Sequence, residues 1–186
     1  MPLPRIGALE SLPALSHPEL LAPPVHEALR DWPGATEIAV VEIDPEYADT
    51  AAMSEKYDVP MADGANCVVV MGRREGQERL AACVVRADTR ADVNNLVKRT
   101  LDVRKASFLS MDRAVEESGM EYGGITPLGL PARYRVLVDG RVAVDDPVAG
   151  PIVVIGSGVR RSKIALPGAL LATAPGVEVI DGLALA

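Results

Sequence analysis

A chain of 186 residues suits one domain with its own core, and 48% apolar against 24% charged residues excludes a disordered or fibrous class. The net charge of −7 argues against a surface made for a polyanion, but the excess is local: residues 1–63 carry 12 acids and 3 bases, and the rest 14 and 16. No apolar run approaches the roughly 20 residues that span a bilayer, so no membrane association is expected. Aromatic residues are only 3% of the chain, which leaves core packing to Val, Leu, Ile, Ala and Met.

In chain order, Pro2, Pro4, Pro13, Pro18, Pro23 and Pro24 break up the first 24 residues. The stretch therefore reads as an extended arm lying on the domain, without the continuous apolar segment of a secretory signal. Val25 to Asp31 reads as a short helix ended by Pro33 and Gly34. With the arm it forms a unit over 1–35 ahead of a main domain over 36–186. Glu37 to Ile43 is short, apolar and β-branched, as a buried strand is. Asp44-Pro45-Glu46 supplies an N-cap, an early proline and an acid for a helix through Lys56.

Ala65 to Met71 and Arg79 to Arg86 read as a β-hairpin around the polar segment Gly72 to Glu78. Their thiols, Cys67 and Cys83, read as buried and free, which suits a reducing cytoplasm. Helical spacing follows over Arg90 to Leu101, and Ser110 caps a helix that stops at Gly119. Strands are expected at Tyr134 to Asp139, before a tight Asp139-Gly140 turn, and at Ile152 to Ile155. A last helix over Gly168 to Thr173 follows Pro167, then a strand at Val177 to Ile180. Hairpins interspersed with helices predict an α/β chain of the α+β type: a mixed, largely antiparallel sheet with surrounding helices.

The most unusual segment is Glu121 to Pro131, with three glycines and two prolines behind a capped helix. Gly123 and Gly124 permit positive φ and close approach to a ligand, and the prolines stiffen the loop so that its N–H groups stay aimed. Such a loop can hold a carbonyl or a developing oxyanion. Composition alone fits an ordinary turn as well. His17 and His26 lie in the arm with no acid or cysteine at metal-ligand spacing, so no metal site is expected. No Walker loop is present, and Gly123 to Gly129 is not a dinucleotide fingerprint.

The run Glu117 to Gly129, followed by Arg135 to Asp139, resembles the signature of the YbaK/EbsC family. That signature is a helix, a Gly-Gly-hydrophobic-Ser/Thr-Pro-x-Gly loop and a strand ending in Asp. Gly156-Ser157-Gly158, with Arg160, Arg161 and Ile164 to Pro167, is similar to the family's small-residue turn and final helix. The likeness spans roughly residues 36–182. It implies a prolyl-tRNA synthetase-associated type of editing domain: an aminoacyl-tRNA deacylase that hydrolyses mischarged tRNA in trans, without a cofactor, with the aminoacyl-tRNA acceptor end as partner.

Carried over, Gly123 and Gly124 would place backbone groups near the ester, and Ile125, Thr126, Pro127, Leu128 and Gly129 would complete the floor of the site. Asp139 would lie near its rim, and Gly156, Ser157 and Gly158 would form the facing wall. Asn66 fills the position where the family places a lysine and offers a neutral N–H donor instead of a cation. Lys56, Lys98, Lys105 and Lys163 are the lysines that could act in its place. The other reading of the same fold is a catalytically weakened module that binds a tRNA end, a nucleotide or a small amino acid. An interaction protein that uses the Pro-rich arm, as in a homodimer, is a third. Basic clusters at Lys98, Arg99, Arg104 and Lys105 and at Arg160, Arg161 and Lys163 are candidate tRNA contacts.

Overall fold

A computed structural model describes residues 2–144 and 152–186. Strand β1 (Leu12–Pro13) lies in the N-terminal arm, followed by helix α1 (Pro23–Arg30), β2 (Ala39–Glu42) and α2 (Thr50–Tyr57). The long hairpin β3 (Ala65–Arg74) and β4 (Gln77–Arg86) comes next, then β5 (Arg90–Ala91), a π-helical turn (Val93–Val97), α3 (Lys98–Thr100) and β6 (Ala106–Phe108). The chain continues through α4 (Met111–Ser118), β7 (Tyr134–Asp139), β8 (Ile152–Gly156), β9 (Ser162–Pro167), α5 (Gly168–Leu171), β10 (Val177–Ile180) and β11 (Ala184–Leu185).

The strands form two principal sheets. One is antiparallel, in the order β1-β2-β9-β8. The other, β10-β7-β4-β3-β6, mixes parallel β10-β7 and β7-β4 pairs with antiparallel β4-β3 and β3-β6 pairs. A small β11-β5 pair ties down the C-terminus. The expected mixed, largely antiparallel character holds, with the strands divided between two sheets.

The main core lies between those sheets. Val84, Val136 and Val138 of one sheet meet Val40, Ile155, Ile164 and Leu166 of the other, with Val25, Leu29 and Trp32 from the N-terminal segment. A second cluster covers the outer face of the five-stranded sheet beneath the π-helical turn, where Val70, Ala81, Cys83 and Val85 meet Val93 and Val97. A third places Ala39, Val41 and Ala165 of the antiparallel sheet under Met53 of α2. Strand β2 is thus covered on both faces, which is why Glu37 to Ile43 shows no polar alternation.

Several boundaries differ from expectation for identifiable reasons. The arm is more than an extended cover: Leu12 pairs with Val40, and Leu20, Leu21 and Ala22 are buried in the main core. The hairpin turn is two residues long, because Glu75 and Gly76 both adopt positive φ, and the charged residues on either side extend the strands at the surface. The helix expected from Asp44 to Lys56 is interrupted. Asp44 caps a 3-10 turn at Pro45–Tyr47, and α2 restarts after an extended Asp49. Strand β9 was not anticipated: the resemblance grouped Ile164 to Pro167 with a turn and final helix, and Ser162 and Lys163 leave only Ile164 to Leu166 as an apolar run.

The integration of the N-terminal segment is tested by Leu29→Ala, which truncates a fully buried side chain of α1. Urea unfolding should show a loss of about 2–5 kcal/mol. A loss well under about 1 kcal/mol would mean that this segment only lies against the domain.

Candidate active site

The two sheets meet where β3 begins. Gly64 bridges Val154 of β8, and the Val154 N–H donates to the Asp63 carbonyl oxygen at 2.7 Å. A cavity of about 260 Å³ opens at this seam, between α2, the start of β3, the loop after α4, and strands β8 and β9. Met53, Val59, Cys67, Val154 and Ile155 supply apolar walls, and Asp49, Thr50, Asn66 and Lys163 bring polar groups.

The loop enters through the left-handed C-terminus of α4 at Gly119, whose φ is 67°. Ser110 precedes α4 as expected but makes no side-chain capping bond. Instead, α4 is fixed from its flank. Glu117 accepts from Arg113 at 2.6 Å, from Arg133 and from the Tyr134 hydroxyl, and Arg113 also donates to Glu78 at 2.6 Å. The Tyr134 hydrogen bond, with Arg113 and Arg133, holds the Glu117 carboxyl down at about 2.

Beyond Gly119 the loop lies backbone to backbone on the turn between β8 and β9. Glu121 N–H donates to Gly158 O and Gly158 N–H to Gly124 O, both at 2.8 Å. A Cβ on Gly124 would sit 2.8 Å from Val159 N, and one on Gly156 would overlap the Gly124 carbonyl oxygen. Gly124 therefore serves close approach, while the positive φ of 76° belongs to Gly123. Gly124 N–H is spent on Glu121 O, which leaves the Gly123 and Ile125 N–H groups without a protein partner among the described residues.

Of the residues singled out from sequence, Asn66, Gly123, Ile125 and Gly156 line the cavity together. The others stand elsewhere. Gly124 forms the buried underside of the loop. Thr126 is fully buried with its hydroxyl unpartnered, because the chain turns inward there. Pro127, Leu128 and Gly129 border a separate groove beside Trp32 and Tyr134. Ser157 is consumed structurally: its hydroxyl bonds Ser162 Oγ at 2.7 Å and Ser162 O at 3.0 Å. Gly158 packs on Ala22 of the arm. Asp139 lies away from the rim, buried, accepting from Arg141 N–H and Nε and from Ala184 N–H, so it anchors the C-terminal strand.

Asn66 is held by Thr50, whose hydroxyl donates to Asn66 Oδ1 at 2.7 Å. Among the four lysines named as substitutes, only Lys163 reaches the cavity. Its side chain is buried, and Nζ donates to the Ala48 carbonyl oxygen at 2.7 Å. Lys56 is exposed over the Tyr47 ring, Lys98 opens α3, and Lys105 follows it. The interruption of the helix at Ala48–Asp49 is what turns that carbonyl toward the lysine. Cys67 also lines the cavity, but burial pushes its thiol up, so it is no thiolate nucleophile at neutral pH.

Lys163 also divides the second basic cluster. It points inward, while Arg160 stacks on Tyr122 and donates to the Pro45 and Tyr122 carbonyls, and Arg161 donates to Glu19 O. Arg99, Arg104 and Lys105 remain exposed.

The model of the aminoacyl-tRNA editing domain family matches residues 44–173, which takes in every wall of this cavity. The chain belongs to that family, as its resemblance to YbaK/EbsC proteins implied. Among curated proteins no match is found. Of the solved structures, the hypothetical protein APE2540 superposes with a TM-score of 0.72 at 17% identity, over 87% of this chain and 99% of that one. A proposed trans-editing enzyme for prolyl tRNA synthetase superposes with a TM-score of 0.68 at 19% identity, over 86% and 94%. Both likenesses show the fold.

Gly156→Ala tests the backbone contact that shapes the site. The added methyl meets a carbonyl oxygen that cannot rotate away, so urea unfolding should show a loss of about 1–3 kcal/mol. An unchanged unfolding midpoint would mean that the loop and the turn are not in direct contact.

Proposed function

We propose that the protein is a trans-editing hydrolase that removes a small amino acid from mischarged tRNA. The observation that carries this reading is the cavity itself, lined by Asn66, Lys163 and the loop residues Gly123 and Ile125, whose N–H groups have no protein partner among the described residues. At about 260 Å³ it falls near the lower end of ligand pockets, which suits a small aminoacyl group. The apolar residues take the side chain of the amino acid, and the exposed Asp49 carboxylate takes its α-ammonium. Water adds to the ester carbonyl carbon, and the intermediate collapses to the free amino acid and the terminal ribose hydroxyl. The reaction calls for no cofactor. Similarity to the proposed trans-editing enzyme for prolyl tRNA synthetase supports action in trans. The free thiols Cys67 and Cys83 fit the reducing cytoplasm, where such substrates occur.

Incubation of the purified protein with tRNAs mischarged with alanine, serine, cysteine or larger residues tests this. Release of a small amino acid above the buffer rate is expected, with bulky ones spared. Tight binding of the acceptor end without release from any of them would leave the catalytically weakened binding module as the correct reading.

Acceptor-stem contact is assigned to Arg99, Arg104 and Lys105, the exposed basic group. Replacing all three with Ala should weaken tRNA binding and flatten its dependence on salt by up to about three units of log–log slope. An unchanged slope would move the contact to another surface.

A further inference from the structure

Lys163 stands near the start of β9, within a run from Ser162 to Leu166 that is buried throughout. A cation there is costly unless something compensates it, and structural lysines ordinarily pair with a carboxylate or reach water. Lys163 has no such ion pair among the described residues, and its side chain lines the cavity. Among the described residues its hydrogen-bond partner is the neutral Ala48 carbonyl, and no carboxylate lies within ion-pair distance. An ammonium has three N–H donors, so two are left.

The geometry around Nζ indicates where those donors are needed. Ala48 holds Lys163, and Thr50, two residues on, holds Asn66, so one short stretch grips both side chains at the same end of the cavity. Gly156 pairs with Lys163 across the β8-β9 ladder and shapes the wall next to the Gly123–Ile125 loop. Lys163 is the one cation among the residues that line the cavity, and Asp49 the one carboxylate.

We propose that the Lys163 ammonium is a catalytic residue that holds the oxyanion formed when water adds to the aminoacyl ester, an inference that rests on the deacylase reading. As the water oxygen bonds to the carbonyl carbon, the carbonyl π pair moves to oxygen and is met by a Lys163 N–H. When that pair re-forms the carbonyl, the bond to the ribose oxygen breaks, and the proton lost by the water passes through solvent to the ribose oxygen. Binding and catalysis thereby use the N–H donors of a buried ammonium that the fold bonds to one neutral carbonyl.

Burial lowers the ammonium to about 8, opposed by the Asp49 carboxylate and reinforced by the Arg160 guanidinium. Cys67 of β3 and Tyr122 of the loop also line the cavity, while β8 presents only Val154, Ile155 and Gly156. The charge is present below that value and lost above it. The enzymatic rate, corrected for spontaneous ester hydrolysis, should therefore hold below pH 8 and decline above it.

Single-turnover deacylation of a mischarged tRNA tests the assignment. Lys163→Met should fold with an unchanged or raised melting temperature, because it removes a buried charge while keeping the chain length. Its rate should fall on the order of 10²–10³-fold with little change in the concentration dependence. Lys163→Arg should retain more activity than Lys163→Met, and adding Asn66→Lys to Lys163→Met should restore at least about tenfold by returning a cation to the same end of the cavity. A folded Lys163→Met that matches the wild-type rate overturns the inference while leaving the deacylase reading standing. Wild-type protein inactive on every tRNA overturns both. Should Lys163→Met not fold, the wild-type pH profile decides, and a corrected rate flat through pH 9 overturns the assignment.

Discussion

The site depends on one steric constraint: two stretches of backbone must lie closer than side chains permit. Gly124 rests on Gly158 and Val159, and Gly156 rests on Gly124 and Ile125, joined by the reciprocal bonds from Glu121 and Gly158. Two backbones approach this closely only where Cβ atoms are missing. The contact joins the loop to the turn beside the cavity and leaves the Gly123 and Ile125 N–H groups without a protein partner among the described residues. It also aligns the start of β9, which carries Lys163. The arm supports the contact from behind, where Ala22 packs on Gly158 and accepts no larger neighbour.

A second consequence is electrostatic. Around the cavity, polar groups are held by partners that leave some of their capacity unused: Asn66 by Thr50, and Lys163 by Ala48. Fixed donors in a partly desolvated space stabilise charge without the reorganisation that water would require. More distant charges are used differently. Arg113, Glu78, Glu117 and Arg133 neutralise one another while clamping α4, and Asp139 spends its carboxylate on Arg141 and the C-terminal strand. These groups hold the frame, and none of them lines the cavity.

Much of the fold was legible because its strands are β-branched runs punctuated by glycine and proline. Tyr134–Asp139 and Val177–Ile180 are found where the pattern placed them. The site was half legible. Gly123, Ile125, Gly156 and Asn66 converge, since a glycine loop and a small-residue turn carry a local signature. Thr126 to Gly129 share that signature, yet the chain turns into the core at Thr126, and local spacing does not reveal such a turn. Lys163 was only one of four lysines, because its importance arises from a helix break at Ala48 and from a strand that it disguises. The apolar Ile164-Ala165-Leu166 ahead of Pro167 was the available hint of that strand.

The most direct test of the account is a crystal structure of the protein with a hydrolysis-resistant mimic of its substrate, adenosine bearing alanine through a 3′-amide. The account predicts the alanyl group in the cavity between Asn66 and the Gly123–Ile125 loop, with its carbonyl oxygen within hydrogen-bond reach of Lys163 Nζ. An ordered alanyl group bound in any other part of the molecule, with this cavity empty, would contradict it.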